Sequence, residues 1–304
     1  MSSTNIPDDS PTRLVSLDGH ALVILLLGAA GISLAPNLVR LSEVGPSATA
    51  FYRLFFALPV LFFWMRLEPA RVGQKRPAGL RDFLALSFAG IFFAADMAFW
   101  HWSITFTSVA NATLLANSAP IFVTLGGLLL FGERFSRRFL LGLALATGGA
   151  VMLLGDSLSI GGRNLLGDSF GIIAAIFYAA YLMAVARLRE RFSTAMVMGW
   201  SGLVTAIVLV PVTIISGESF LAVSAFGWAI LVALALVSQV GGQSMIAHAL
   251  AHLTPAFSAV ALLLQPVLAA LIAWILFAEG LGLLQFAGAA VILAGVVLAR
   301  VGSR

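Results

Sequence analysis

The sequence predicts an all-α integral membrane protein: ten transmembrane helices arranged as two inverted five-helix repeats, with the N- and C-termini cytoplasmic. Three observations carry this reading. The first is composition: 61% of the 304 residues are hydrophobic and only 10% are charged, against about 25% charged in soluble domains, and the mean hydropathy is +1.04. So little polar surface cannot coat a water-soluble globule, and the apolar runs are continuous, not alternating as in a barrel. The second is an internal repeat. Ser108–Glu133 recurs as Thr254–Glu279, an offset of 146 (279 − 133), with Pro120 on Pro266, Leu125 on Leu271, Phe131 on Phe277 and Glu133 on Glu279. The match continues as Gly142 on Gly288 and Gly149 on Gly295. Each copy is long enough to cross a hydrocarbon core of ~30 Å, and such a repeat in a membrane chain suggests a transporter. The third is the placement of positive charge.

The elements follow in order. Residues 1–17, with Pro7 and Pro11, form a polar tail expected to be disordered. Residues 18–156 form the first repeat and 157–304 the second. Asp18 is placed to cap the first helix, about 20–40, and the next four lie at about 46–66, 82–104, 108–131 and 139–155. A polar stretch, 156–164, joins the halves. The second set falls at about 165–187, 192–216, 225–249, 255–278 and 283–300. With the N-terminus inside, the inner side holds Arg13, the clusters at 66–81, 134–138 and 187–191, Arg300 and Arg304; the outer loops hold only Arg40 and Arg163. Lysine and arginine accumulate on the cytoplasmic side, so the count and the orientation support each other. Five crossings per repeat is odd, so the second copy is inserted upside down.

The N-terminus, with Asp8, Asp9 and Asp18 against a single Arg13, makes a poor signal-peptide start, and the first apolar run reads as an uncleaved span. The chain has no cysteine, so disulfides and thiolate metal sites are excluded. No phosphate-binding Gly loop and no nucleophile–base constellation is visible, which points away from an enzyme. His248 and His252, at i and i+4, are a weak metal signal without a third ligand.

The working residues are sought inside the membrane. Asp96 and Arg53 count to about 12 and 10 Å deep from the outer helix ends. Buried charges pair or line water, which leaves two readings: an ion pair tying the second and third helices, or a coupling or substrate-amine group at Asp96. Asn117 and Gln265 lie next to the twinned prolines Pro120 and Pro266, which kink their helices and free carbonyls; they read either as a midplane site for a zwitterion or as interhelical polar contacts. Gln239 and Gln243 read the same way. Tyr178, Tyr181 and Trp100 either line a pocket tolerant of aromatic cargo or simply pack. Trp64, Trp102, Trp228 and Trp274 fall near helix ends, where interfacial anchors belong.

Two five-helix halves, each with a proline-centred fourth helix, a Phe-small-Glu turn (Phe131–Glu133, Phe277–Glu279) and a small-residue-rich last helix (Gly142, Gly149; Gly288, Gly295), resemble the drug/metabolite transporter superfamily, EamA type, over about 20–300. Within it the chain is similar to bacterial amino-acid exporters of the YddG kind. The resemblance implies a central cavity walled by helices one to four and six to nine, with five and ten as buttresses. It implies a secondary exporter in the plasma (inner) membrane, moving neutral or aromatic amino acids by alternating access about Pro120 and Pro266, with no cofactor and with lipid and a small molecule as partners. A monomer is sufficient, and the small-residue faces of helices five and ten leave a dimer open. Rival readings are a transporter of a drug or other metabolite on the same frame, and a passive channel.

Overall fold

The computed structural model describes residues 11–68, 76–107, 109–154, 165–278 and 282–303. Glu279, Arg163, Arg71, Lys75, Arg304 and residues 1–10 of the tail lie outside them. Among the described residues ten helices are long and apolar enough to cross a membrane: α1 (Gly19–Arg40), α2 (Pro46–Leu67), α3 (Leu80–Phe106), α4 (Asn111–Phe131), α5 (Arg137–Leu154), α6 (Leu165–Arg189), α7 (Thr194–Ile215), α8 (Ala225–Ala249), α9 (Pro255–Phe277) and α10 (Leu283–Gly302). Their ends fall within a few residues of those expected, with one correction. The helix carrying α1 already begins at Pro11, a residue preorganised for a first helical position, so 11–17 are helical and Asp18 lies inside the helix instead of capping it.

Local chemistry sets the ends. Ser193, Ser224 and Thr254 side chains accept from the amides of Met196, Gly227 and Phe257 at the starts of α7, α8 and α9, satisfying donors that helix starts leave orphaned. The Phe-small-Glu turn of both repeats is a left-handed helix cap: Gly132 has φ 67° and Ala278 φ 55°, and the Glu133 amide reaches back to the Gly127 carbonyl at 3.0 Å.

Three spans break just before a proline. α1 divides between Ser33 and Ala35, ahead of Pro36; α4 between Ala116 and Ala119, ahead of Pro120; and α9 between Leu262 and Leu264, ahead of Pro266. Proline has no N–H and crowds the carbonyl four residues earlier, which here is Ile32, Ala116 or Leu262. In α4 two side chains bond the turn before the break: Asn117 Nδ2 donates to the Thr113 carbonyl at 2.8 Å and Ser118 Oγ to that of Leu115 at 2.5 Å. α8 is irregular for a different reason, carrying a π-helical stretch over Leu234–Gln243.

The packing displays the repeat directly. α5 and α10 cross antiparallel through glycines with no room for a side chain: a Cβ on Gly142 would lie 2.7 Å from the Gly295 carbonyl oxygen, and one on Gly288 would lie 2.8 Å from that of Gly149. Shifting 142 and 295 by the repeat offset gives 288 and 149, so these are one contact made twice around a two-fold axis lying across the helices. The small-residue faces of the two helices therefore cover each other. The same ends of the bundle are tied repeatedly. Arg187 stacks on Phe131 at 4.3 Å and Arg191 pairs with Asp82 at 2.9 Å, so the arginine-rich loops share one end. At the other end Arg40 stacks on Phe277 at 4.6 Å and Glu218 accepts from the Ala48 amide at 2.9 Å. The outer surface of the spans is apolar, as at Leu129, Ile215 and Ile275, and polar side chains such as Asn37, Arg53, Gln239 and Gln243 are buried.

Candidate functional site

The broken helices meet at a cavity of about 410 Å³, within the range of small-molecule sites. Pro36, Pro120 and Pro266 all line it, so the loosened turns face the hollow, where backbone freed from its helix can be tolerated in a membrane. It extends from the bundle centre to the end that carries Arg40, Thr49 and Leu154. Of the residues singled out in the sequence, Arg53, Asp96, Trp100, Asn117, Tyr178, Gln243 and Gln265 line this one cavity. Walls come from α1–α4, α6, α8 and α9; α7 and α10 contribute nothing and α5 only its last residue, Leu154.

Gln239 and Tyr181 stand behind the wall. Gln239 is fully buried and its Oε1 accepts from Arg53 Nε at 3.1 Å. Tyr181 stacks on Phe93 with ring centroids 4.5 Å apart, and its hydroxyl accepts from Gln243 Nε2 at 3.3 Å. The glutamines of the π-helical stretch thus act in turn, one orienting Arg53 and the other joining α8 to α6. Such wide turns recur at functional sites.

The direct Asp96–Arg53 ion pair is a correction to the sequence reading. Arg53 turns its Nε to Gln239 and its guanidinium lies 5.9 Å from the Phe93 ring. Among the described residues Asp96 makes no hydrogen bond and no salt bridge. Equal depth placed the two charges at one level; it did not reveal that α8 supplies the partner for Arg53. Both remain on the cavity wall, where a charge too costly to leave in hydrocarbon faces an open hollow.

Asn37 and His101 were missed. Asn37 is 3% exposed, lines the cavity and donates to the Ala269 carbonyl at 3.3 Å, linking α1 to α9. His101 is 5% exposed, next to Trp100 in the lining. The signal for Asn37 was present: it follows Pro36 inside an apolar run, as polar residues flank Pro120 and Pro266. His101 carried none, because a lone histidine near a helix end looks like any interfacial one. Trp102 and Trp228, expected as anchors, tie elements together: Trp102 Nε1 donates to Ser216 Oγ at 3.2 Å, and Trp228 packs edge-on to Tyr52. The His248 and His252 rings lie 5.4 Å apart, and among the described residues no group of three or more potential ligands gathers around a metal-sized site.

The comparisons with known proteins agree with this architecture. The sequence pattern of the EamA-like transporter family matches twice, over residues 19–155 and 165–301. An uncharacterized transporter of Archaeoglobus fulgidus is 28% identical over 253 residues, 83% of this chain and 86% of that protein. A second from the same organism matches 59% of this chain, and the chain spans only 61% of its length. The pseudopaline exporter CntI of Pseudomonas aeruginosa is 24% identical over 280 residues, 91% of this chain and 95% of that one. A solved crystal structure superposes with a TM-score of 0.77 at 18% identity, covering 97% of this chain and 99% of the other, which establishes the shared fold. A duplicated family pattern, ten apolar spans among the described residues and a cavity at the helix breaks converge: the chain is a multi-pass membrane transporter and belongs to the EamA-like transporter family.

Proposed function

We propose that this transporter exports small zwitterionic metabolites, foremost neutral or aromatic amino acids, across the plasma membrane by alternating access. One observation carries the reading: Arg53 and Asp96, opposite in charge, line the same cavity without bonding each other. A carboxylate suits the guanidinium and an ammonium suits the carboxylate, so a zwitterion completes both. Trp100, Phe93 and Tyr178 supply apolar wall for a bulky side chain, and the amides of Asn117 and Gln265 offer further hydrogen bonds. A purely anionic cargo would leave Asp96 repelling it. With the arginine-rich end cytoplasmic, both termini are inside and the cavity opens outward. Pro120 and Pro266, at the breaks of α4 and α9, serve as hinges.

The similarity to a pseudopaline exporter supports a second reading, a drug or other metabolite as cargo on the same frame. Counterflow in proteoliposomes decides between these readings and also separates a carrier from a channel. Preloaded vesicles are expected to accumulate labelled neutral or aromatic amino acids transiently. Absence of counterflow for every amino acid, with counterflow for another metabolite, would replace the cargo; absence of any counterflow would point to a channel.

A further inference from the structure

A second hollow, of about 380 Å³, lies at the opposite, arginine-rich end of the bundle. It is lined by α4 (Val123, Gly127, Phe131), by α6 (Met183, Ala186, Arg187) and by the turn between α8 and α9. Four charged or titratable side chains ring it: Glu133, Arg187, Glu190 and His252.

The repeat explains where it is. Positions near the bundle centre line the first cavity in both copies: Pro120 with Pro266, Asn117 with Leu263, Ala116 with Leu262, and Pro36 with Leu182. Moving away from the centre, the copies part. Ala269 and Ala273 of α9 line the first cavity, while their twins Val123 and Gly127 line the second. Asn37 and Arg40 of α1 line the first, while their twins Met183 and Ala186 line the second. The rims match as well, since Arg40 stacks on Phe277 at one end and Arg187 on Phe131 at the other. Each stack joins the end of one repeat's first helix to the end of the other repeat's fourth. The lining changes over between neighbouring residues of α6: Leu182 lines the first hollow and Met183 the second. Met183 rests on Gly126, where an added Cβ would meet its tail at 2.8 Å.

We infer that the second hollow is the other mouth of the transport path, closed in this conformation where Pro120 gives way to Val123 on α4 and Leu182 to Met183 on α6, and that its ring of Glu133, Arg187, Glu190 and His252 is the first docking point for a zwitterionic cargo. Glu133 and Glu190 suit the ammonium and Arg187 the carboxylate. The mixed charge would admit a zwitterion, whereas a purely anionic molecule would meet two carboxylates. This rests on the alternating-access reading above.

The chain has no cysteine, so single thiols report cleanly. Ala186→Cys and Ala273→Cys, with Val123→Cys and Ala269→Cys as a second pair should either of the first misfold, are to be labelled with a membrane-impermeant thiol reagent in oriented vesicles. The second-hollow thiol is expected to react only from the arginine-rich face and the first-cavity thiol only from the other. Saturating amino-acid cargo is expected to move the two rates in opposite directions, by severalfold. Glu133→Gln with Glu190→Gln is expected to raise KM severalfold for cargo presented at the arginine-rich face. The inference is overturned if both thiols label from one face, or if cargo shifts the Ala273→Cys rate and leaves Ala186→Cys unchanged. Those outcomes in a protein that still counterflows amino acids sink this inference alone. Opposite-sense labelling driven by a different metabolite, without amino-acid counterflow, removes the proposed cargo and leaves the two mouths standing.

Discussion

Asp96 bonds nothing within the described protein, which separates its role in folding from its role in binding. Asp96→Asn is expected to leave the yield of folded protein unchanged and to weaken zwitterion binding tenfold to a hundredfold, the worth of a charge-assisted hydrogen bond of roughly 1.5–3 kcal/mol; equilibrium binding to detergent-solubilised protein measures it, and a collapse in yield would return Asp96 to a structural role. Ala278 offers an independent test at the same scale. It holds a left-handed conformation at φ 55° in the position that its twin fills with glycine. Ala278→Gly is expected to relieve roughly 1–2 kcal/mol of strain and to lose part of that to the freer unfolded chain, for a net gain of up to about 1 kcal/mol in thermal-unfolding assays. Individual residues were legible where chemistry and depth agree: Arg53, Asp96, Asn117 and Gln265 all reached the cavity. What sequence could not supply was partnership, because Arg53 and Gln239 lie 186 positions apart on helices whose neighbourhood only packing decides.

Helices were legible from long apolar runs, and two of the three breaks from their prolines. The break at Pro36 gave the same signal but has no proline twin to draw attention to it. The π-helical stretch of α8 left no trace in the sequence, since its apolar pattern fits an ordinary span. Also beyond sequence is a clamp across the open end. Glu43, between α1 and α2, accepts from the Val223 and Ser224 amides and the Ser224 hydroxyl at the start of α8. In return Glu218, between α7 and α8, accepts from an amide at the start of α2. Each acid thus satisfies helix-end donors of a distant element, where negative charge is favoured. The Ser224 hydroxyl and then its amide hold the Glu43 carboxyl below the ordinary carboxylate value. A depressed carboxylate stabilises the fold fully above its unfolded pKa, and that contribution fades as pH falls through the lower folded value. Thermal stability is therefore expected to drop on acidification into and below the usual carboxylate range. Glu43→Gln should be less stable at neutral pH and show a smaller acid-dependent loss; an unchanged pH profile would deny the clamp that role.

As a whole the molecule is a symmetric frame holding an asymmetric site. The repeat offset carries Arg53 onto Gly199 and Asp96 onto Gly242, so the first repeat brings both charges and the second answers with the neutral Gln239, Gln243 and Gln265. The frame was readable because duplication leaves a fixed offset. The site was only partly readable, because neither of its charges is repeated in the second copy. The seam between α5 and α10 tests the frame. A methyl on Gly149 would lie 2.7 Å from the Ile292 amide nitrogen and 2.8 Å from the Gly288 oxygen, and backbone there can retreat only by separating the helices. Gly149→Val is expected to destabilise by at least the 1–3 kcal/mol typical of overpacking, visible as lost monodisperse protein on size-exclusion chromatography, while Gly148→Val, with nothing within 4 Å of its Cβ, should be tolerated.

That seam has one more property. A contact made of two interchangeable halves looks the same whichever repeat adopts which shape. If the halves trade conformations during turnover, the Gly142–Gly295 and Gly288–Gly149 crossings merely swap names, and their energy cancels from the difference between the two states. Such a joint can be as strong as packing allows without tilting the machine toward either side, so damage there should lower how much carrier survives in the membrane and leave untouched the rate at which each surviving copy works.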